Sequence, residues 1–415
     1  MIYHNDTRNT NHEQAHLPVL WQGRRISGCT LGYVRAGGAG IPVLEMSGLP
    51  PDVADEKEGG VIEIMEPWQF MQKQSLPYEA KIRHAENKAF QFRDWAWTNN
   101  FDVCVSIGGL DSIVLYYFLT AIGLKNVVPV SVSILEDKSI REIHKLIPGM
   151  VFVKPYKTKI RVLREYGFPV ISKEKARKIE NLQKPDNPKQ TYIHAIMTGQ
   201  MGEQGKFKQS NKIKLPEKWI KLFGGMYAHH RPDLECQTAP FKVSPECCKW
   251  LKEKPMQDWQ KENNMIPYLG LMASEGGQRE KGLMKNGCNY FGKTTIRSCP
   301  FAIFNRQDLL QLALDLKAPV PKIYGEIVRD SDGTLRTTRA QRTGCQMCGF
   351  GIHIEKRPHR FDRLREDSPK EWEFWMYKCV TDEETGEKYG WGKVLDYIGV
   401  AWEDKYVEAK QLVIV

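Results

Sequence analysis

Apolar and polar positions change their period several times along the middle of the chain, and these changes predict strands that alternate with helices. Residues 103–105 form a short apolar run typical of a buried strand, and the apolar segment from Asp111 to Gly123 predicts the following helix. The same pattern predicts strands at residues 127–134, 151–153 and 265–272, and helices at residues 76–99, 136–146, 156–166 and 305–316. This alternation indicates an α/β fold with a doubly wound parallel sheet, which binds its ligand at the C-terminal strand ends.

Changes in composition divide the chain into three regions. Residues 1–75 contain short β-like pieces separated by glycines, and we interpret them as a small, mostly β extension without assigned chemistry. Residues 76–285 hold the strand–helix alternation and carry a basic insertion at about 173–235. Residues 286–415 are predicted to be a C-terminal cysteine-containing, metal-binding region.

The basic insertion has Tyr192, Phe207 and Trp219 placed between its many lysines and arginines. Basic groups contact phosphates and aromatic faces stack on bases, so the pattern is typical of a surface for nucleic acid or another acidic substrate. The alternative is a solvated, partly flexible insertion. Residues 199–211, rich in Gly, Gln and Lys, are predicted to be a mobile loop.

The chain has 415 residues and a formal net charge of +10, which suggests an anionic partner. No apolar run is long enough to span a bilayer, and the polar N-terminal stretch lacks the apolar block of a signal peptide. We therefore expect a cytoplasmic protein without a membrane segment. Ten cysteines are too sparse for a secreted disulfide scaffold, so clustered cysteines are candidate metal ligands or reactive thiols.

Two glycines, Gly108 and Gly109, lie between the first predicted strand and the helix that begins at Asp111. Glycines let backbone N–H groups approach a phosphate, and a helix N-terminus favours its negative charge. The stretch therefore predicts an anion site, with an ordinary strand-to-helix turn as the alternative. A second glycine turn follows another predicted strand and would form a second wall of this site through Ser274 and Arg279.

The sequence of this turn, Gly-Gly-Leu-Asp-Ser, resembles the Ser-Gly-Gly-x-Asp-Ser pyrophosphate loop of the PP-loop ATP pyrophosphatases, with Ile107 at the position of the first serine. The resemblance extends to the PAPS-reductase-like branch of that superfamily, which includes proteins of bacteria and phages and proteins that place sulfur in DNA. The segments that carry it are residues 167–177, 240–255, 272–289, 342–355 and 392–399. It covers the chain from about residue 75 to the C-terminus and implies an adenine nucleotide alpha-hydrolase-like fold.

The resemblance also implies a reaction, in which ATP adenylates an oxygen, pyrophosphate leaves, and sulfur then displaces AMP on a nucleic acid or a small molecule. Asp111 and Ser112 are the implied catalytic residues, Asp111 orienting Mg²⁺ or the loop and Ser112 donating its hydroxyl to pyrophosphate. The implied nucleotide-binding residues are Ser106, Gly108, Gly109, Leu110, Asp111, Ser112, Glu136, Ser274 and Arg279. A sulfur-donor protein is a further implied partner.

Two departures from the family pattern support a different function, a non-catalytic protein that senses a nucleotide or binds nucleic acid. Ile107 removes a phosphate-facing hydroxyl, and Leu110 occupies a position that is often lysine in the PAPS-reductase branch. The chain also lacks the Glu-Cys-Gly-x-His motif of true PAPS reductases, which counts against sulfate reduction.

Cys345 and Cys348 form a CxxC motif followed by glycines, an arrangement suited to placing two thiolates on one metal. Together with Cys248 and Cys288 they would complete a site for zinc or for a [4Fe–4S] cluster. The resemblance to DNA-sulfur-modification proteins favours the cluster. A CxxC redox pair or four buried structural cysteines are the alternatives.

Two other cysteines are alternative ligands for this site. Cys247 could replace its neighbour Cys248, and Cys299 could be the fourth ligand. Cys236 stands in a polar segment and is assigned no role. Residues 356–365, dense in arginine and histidine, lie beside the CxxC motif in the sequence and would either hold an acidic substrate or form a solvated helix.

Overall fold

The computed structural model describes residues 66–132, 136–200 and 213–403. These residues belong to the compact unit Glu58–Val415, whereas the other unit, Met1–Lys57, lies outside the described residues. The β-like pieces predicted before residue 66 and residues 201–211 of the predicted mobile loop also lie outside them. Within residues 66–75, Pro67–Gln74 is helical.

The described ranges contain fifteen α-helices and twelve strands. The helices are α1 Pro67–Gln74, α2 Tyr78–Thr98, α3 Leu110–Ala121, α4 Lys138–Leu146, α5 Lys159–Tyr166, α6 Lys173–Leu182, α7 Gln190–Thr198, α8 Glu217–Phe223, α9 Glu246–Cys248, α10 Lys254–Glu262, α11 Gly277–Asn286, α12 Arg306–Asp315, α13 Arg360–Asp367, α14 Pro369–Tyr377 and α15 Trp391–Ile398. The strands are β1 Asp102–Ser106, β2 Val128–Ser131, β3 Val151–Phe152, β4 Val170–Ile171, β5 Met265–Leu269, β6 Asn289–Phe291, β7 Ile296–Ser298, β8 Ile327–Arg329, β9 Leu335–Thr337, β10 Gly349–Phe350, β11 Val380–Thr381 and β12 Lys388–Tyr389.

A six-stranded sheet lies at the centre of the fold, with the strand order β3-β2-β1-β5-β7-β6. Its neighbouring strands are parallel, except that β6 runs antiparallel to β7. From β1 the chain proceeds outward first through β2 and β3, and later through β5 to the other side. The α/β class and the mostly parallel sheet predicted from the sequence are therefore confirmed.

Strand β1 is central because it pairs with β2 on one side and with β5 on the other. Its residues 103–105 are buried, as in a strand with helices on both faces. Cys104, for example, is fully buried and pairs in register with Val128 on one side and Pro267 on the other. The strands predicted for β1, β2, β3 and β5 and the helices predicted for α2, α3, α4, α5 and α12 are all present.

Helix α12 begins next to the turn that holds Gly108 and Gly109, since its first residue, Arg306, contacts Asp111. A capping box fixes the first turn of this helix. The Asn305 side chain accepts a hydrogen bond from the Asp308 N–H at 3.0 Å, and the Asp308 carboxylate accepts one from the Asn305 N–H at 2.8 Å. Lys81 of α2 contacts the same carboxylate at 2.7 Å in a buried ion pair. The start of α12 is thus held to α2, a helix that packs on the sheet.

Apolar side chains form two large cores. The first surrounds the central sheet and combines residues 70–147 with residues 266–340. The second combines residues 163–243 with residues 347–402, so the basic insertion shares a core with the end of the chain. Ile179 of α6, Ile193 of α7 and Ile220 of α8 are each fully buried there. The apolar side chains in the described part of the insertion are therefore packed, whereas basic side chains such as Lys173 and Arg177 are exposed. The predicted boundary between residues 285 and 286 stays a prediction.

Within the described ranges, no helix combines the length and the apolar character needed to cross a membrane.

Candidate functional site

The turn between β1 and α3 lies at the C-terminal edge of the sheet, where the chain leaves the central strand. This is the point at which the strand order changes direction, and α/β sheets bind ligands in the crevice at such a point. Gly109 approaches another part of the chain so closely that a Cβ atom here would lie 2.6 Å from Tyr324 Oη and 3.2 Å from Thr343 Oγ1. Only glycine fits this position without a shift of its neighbours.

Three hydrogen bonds hold the two glycines of the turn. Its N–H donates to Ser112 Oγ at 2.8 Å, and Ser112 Oγ donates in turn to the Gly109 carbonyl at 2.9 Å. His144 of α4 donates from Nε2 to the Gly108 carbonyl at 2.7 Å. His144 is fully buried, and burial lowers its pKa, so the ring is neutral at pH 7. Sequence reasoning missed His144, although it shares the buried face of α4 with Ile140.

The next N–H of the turn, that of Leu110, donates to Tyr324 Oη at 3.1 Å. Tyr324 is buried, which raises its pKa to about 12, so its hydroxyl is protonated at neutral pH. The same hydroxyl is 2.5 Å from Thr343 Oγ1. Because Thr343 lies two residues before Cys345, Tyr324 connects the turn to the CxxC segment.

Asp111 faces a group of arginines at the start of α3. Its Oδ1 accepts a hydrogen bond from Arg306 Nη1 at 2.8 Å. Burial raises the pKa of Asp111, and Arg306 opposes that rise. Glu275 also raises it, and Glu275 is itself paired with Arg279 and lies 3.7 Å from Arg342. Two carboxylates and three guanidinium groups therefore meet beside the turn.

Glu136 lies on the other side of the turn, where a Cβ on Gly108 would be 3.6 Å from its Oε1. It is buried and forms an ion pair with Lys252. Burial lowers the pKa of Lys252, but Glu136 and Cys345 together outweigh that effect and raise it. Lys252 belongs to a five-residue π-helix, Lys249–Glu253, between α9 and α10. It therefore links the glycine turn to the first cysteine of the CxxC motif.

Four cysteines act on one another electrostatically: Cys247, Cys248, Cys345 and Cys348. Burial raises the pKa of Cys247 to about 12 and that of Cys248 to about 11, and the neighbouring thiols add to both rises. Cys247 also packs in a small apolar cluster with Leu251, against which Cys345 is partly buried. The structure thus brings the Cys-Cys pair to the CxxC motif, as the sequence suggested for one of the two.

The remaining predicted ligand, Cys288, lies in the sheet core, with its Sγ 3.5 Å from His84 Nε2. Its carbonyl accepts a hydrogen bond from the Cys299 N–H at 2.7 Å, so the rival ligand Cys299 lies beside it. Among the described residues, no three His, Cys, Asp or Glu side chains are arranged as a metal site. The four clustered thiols are therefore neighbours without ligand geometry.

The two predicted site serines outside the turn have hydrogen-bond partners elsewhere in the chain. Ser106 Oγ lies 3.4 Å from Gln260 Nε2, and the exposed Ser274 donates to the Phe304 carbonyl at 2.9 Å. Ile107 is buried in the sheet core, and its N–H donates to the Val130 carbonyl at 2.8 Å. The Ile107 side chain points into the core and not into the turn, so it leaves the space at the turn free, although it offers no hydroxyl to a phosphate.

Arginines of the basic segment 356–365 are engaged in local ion pairs. Arg357 contacts Asp362 at 2.7 Å, and Arg360 and Arg363 contact Glu355 at 2.7 Å and 2.9 Å. These pairs neutralise much of the positive charge that the sequence shows in this segment.

Comparison with known proteins gives little further information. No family model matches the chain, and no curated protein matches it. Among solved structures, the chain is similar to a phosphoadenylyl-sulfate (PAPS) reductase from Candida auris in a phosphate complex, with 12% identity and a TM-score of 0.30, over 63% of this chain and 98% of that one. A similarity at this level shows neither a family nor a function for the chain.

Proposed function

We propose that the chain is a nucleotide-dependent enzyme of the PP-loop type, which adenylates a substrate with ATP and releases pyrophosphate for a sulfur transfer. The observation that carries this proposal is the β1–Gly108–Gly109–α3 turn at the switch point of the sheet, with arginines and a lysine around it. A glycine turn that leads into a helix N-terminus favours phosphate, and surrounding cations favour the charge of a pyrophosphate.

The residues of the turn have separate tasks in this reaction. Backbone N–H groups of Gly108 and Leu110 bind phosphate oxygens after exchanging their present partners, the hydroxyls of Ser112 and Tyr324. Ser112 then donates its hydroxyl to the departing pyrophosphate. Negative charge develops on the leaving pyrophosphate, and the guanidinium groups of Arg279, Arg306 and Arg342 stabilise it. Positively charged groups that are already in position are effective in this role where water is excluded.

Mg²⁺ fits this site, because Asp111 and Glu275 place two carboxylates near each other beside the phosphate position. Mg²⁺ binds proteins through one or two carboxylates together with substrate phosphates. These two side chains would hold the ion, which would supply neutralisation of phosphate charge. Asp111 keeps its contact with Arg306 at the same time, since that contact uses Oδ1.

The four clustered thiols are the proposed metal ligands, with Cys247 taking the place predicted for Cys288, and because they are not arranged as a metal site here, a bound metal would have to draw the two segments together. Thiolates are ligands for zinc and for iron–sulfur clusters, and four of them from two segments suit either. Cys247 and Cys248 come from one segment, and Cys345 and Cys348 from the other. A [4Fe–4S] cluster here would supply electrons, whereas zinc would only connect the two segments.

The acceptor of sulfur is proposed to be a nucleic acid or another acidic substrate. Burial lowers the pKa of His353, and Lys175 of α6 and Lys218 of α8 lower it further, so both lysines lie within electrostatic reach of this side chain. Lys218 also lies over the Trp219 ring, 4.7 Å from its centroid. Trp219 itself is buried, so this surface would contact a nucleic acid strand through its cations, which suit the phosphate backbone.

Product analysis tests the proposal. Purified protein is incubated with Mg·ATP and candidate acceptors, and the nucleotide and phosphate products are quantified. We expect AMP and pyrophosphate in equal amounts, and their loss in Asp111→Ala. ADP with orthophosphate as the products would contradict the PP-loop reaction.

A second candidate function is nucleotide sensing without turnover. It is favoured by the occupied N–H groups of Gly108 and Leu110 and by the apolar Ile107. Under this function, the protein would bind ATP at the turn and return it unchanged with every acceptor tested.

A further inference from the structure

Arg306 is the first residue of α12, and only one of its three guanidinium nitrogens has a hydrogen-bond partner among the described residues. Its Nη1 contacts Asp111 at 2.8 Å, while Nε and Nη2 are buried and have no hydrogen-bond partner among the described residues. Buried donors without partners are rare in folded proteins, because such groups lose their water without replacement. The side chain as a whole is 23% exposed, whereas Nε and Nη2 are themselves covered, so a ligand that binds them must displace the groups that cover them.

The two unused nitrogens belong to the same edge of the guanidinium plane. Nε–H and the nearer N–H of Nη2 point in parallel, which is the fork that binds two oxygens of a carboxylate or phosphate. Nη1 lies outside that edge, so its contact with Asp111 leaves the fork complete. The arrangement therefore orients Arg306 for a second, bidentate anion.

The surrounding charge favours an anion. Arg279, Arg306 and Arg342 act on Asp111, together with the single neighbouring carboxylate of Glu275. Three cations against two carboxylates leave a positive site. The Gly108–Ser112 turn adjoins it, since Asp111 belongs to that turn and contacts Arg306 directly.

We propose that the Nε/Nη2 edge of Arg306 binds two oxygens of a phosphate group of the nucleotide, and that Asp111 orients the guanidinium through Nη1. Arg306 is thus a substrate-binding residue, and its class of ligand is a phosphate or pyrophosphate oxyanion. This inference rests on the proposed function, because it places the nucleotide phosphates at the glycine turn.

The test measures pyrophosphate and ATP binding by calorimetry for wild type and Arg306→Lys. Lysine keeps the charge but lacks the fork, so we expect both ligands to bind about 10–100-fold more weakly, as for loss of a charge-assisted hydrogen-bond pair. Arg329→Lys is the matched control. Arg329 is an exposed arginine whose Nη2 contacts Gln311 at 2.7 Å, away from the turn, and we expect its replacement to leave binding unchanged.

Chemical rescue separates the fork from a structural role. Arg306→Ala opens the space of the side chain, and free guanidinium ions added to this variant should restore most of the lost pyrophosphate affinity, whereas sodium ions at the same ionic strength should not. A variant that melts below the assay temperature is studied in the cold, where the same rescue applies. Absence of rescue in folded protein would overturn the bidentate role.

The outcomes separate this inference from the proposed function. If wild type binds pyrophosphate and ATP but Arg306→Lys binds them within twofold of wild type, the Arg306 role is wrong and the nucleotide site stands. If wild type binds neither ligand, both proposals are wrong.

Discussion

Gly109→Ala is the substitution whose effect the structure specifies best. The new Cβ would lie 2.6 Å from Tyr324 Oη, well inside the closest distance that real Cβ contacts reach, and 3.2 Å from Thr343 Oγ1. Tyr324 is buried, so its ring cannot simply turn towards solvent. The tyrosine must shift, and its hydrogen bonds to Leu110 and Thr343 must break or lengthen.

Overpacking typically costs about 1–3 kcal/mol, and a weakened buried hydrogen bond adds about 1 kcal/mol. We therefore expect Gly109→Ala to lower the free energy of unfolding by roughly 2–4 kcal/mol. Urea denaturation followed by tryptophan fluorescence measures this change. Gly108→Ala is the matched control, because its Cβ would meet Glu136 at 3.6 Å, an ordinary contact. Its effect should stay within about 1 kcal/mol.

A double-mutant cycle tests the cause. Tyr324→Phe removes the clashing hydroxyl, and alone it should cost about 1–3 kcal/mol, because Leu110 loses its acceptor. In the double variant, the Cβ at residue 109 would be 3.9 Å from the ring carbon that carried the hydroxyl. The double variant should therefore be more stable than the sum of the two single effects, by about 1–2 kcal/mol. Additive effects would refute the proposed contact, as would wild-type stability of Gly109→Ala.

Three further predictions concern the groups around the turn. Lys252→Met should lower the free energy of unfolding by about 2–3 kcal/mol in denaturant titrations, because it leaves the buried Glu136 without its cation. Adding Glu136→Gln should recover part of this loss, and no recovery would contradict the pairing. Because burial lowers the pKa of His144, the unfolded chain binds its proton more readily, so stability should fall as the pH drops below about 6.5, and a His144→Gln variant should lose part of that dependence. Cys345→Ser should lower both the metal content and the melting temperature, whereas Cys288→Ser should keep the metal. Equal metal loss in both variants would show that Cys288 is a ligand after all.

Local patterns account for the parts of the fold that the sequence predicted. The strand at β1 and the helix α3 follow from an apolar run, two glycines and an apolar segment that are all contiguous. Helix α12 follows from the cap at Asn305 and its partner Asp308, three residues apart. In each case, the residues that decide the structure lie within one or two turns of one another.

The contacts that build the site join distant parts of the chain, and no local pattern reveals them. Tyr324 contacts Leu110 across 214 positions, and Arg306 contacts Asp111 across 195. Lys252 lies in a π-helix and contacts Glu136 across 116 positions, and the sequence around it gives no signal for this contact. The sequence could thus predict the turn but not the residues that surround it.

The cysteines show the same division. The CxxC motif is visible in the sequence, but its partners depend on which segments the fold brings to it. The chain passes between the two cores several times, and this places Cys247 near Cys345 while Cys288 stays in the sheet core. The basic insertion is a similar case, since its lysines suggested a solvated surface although its apolar residues pack against the C-terminal helices.

Equilibrium binding of Mg·ATP is the most direct test of the central claim, that the Gly108–Ser112 turn binds an adenine nucleotide. Isothermal titration calorimetry compares wild type with Asp111→Ala, and circular dichroism establishes that both are folded. The account predicts one ATP per chain for wild type and an affinity at least about 10-fold weaker for the variant, from loss of a charged ligand to Mg²⁺ and of the contact that orients Arg306. Equal affinity in the two proteins, or no binding by wild type, would contradict it.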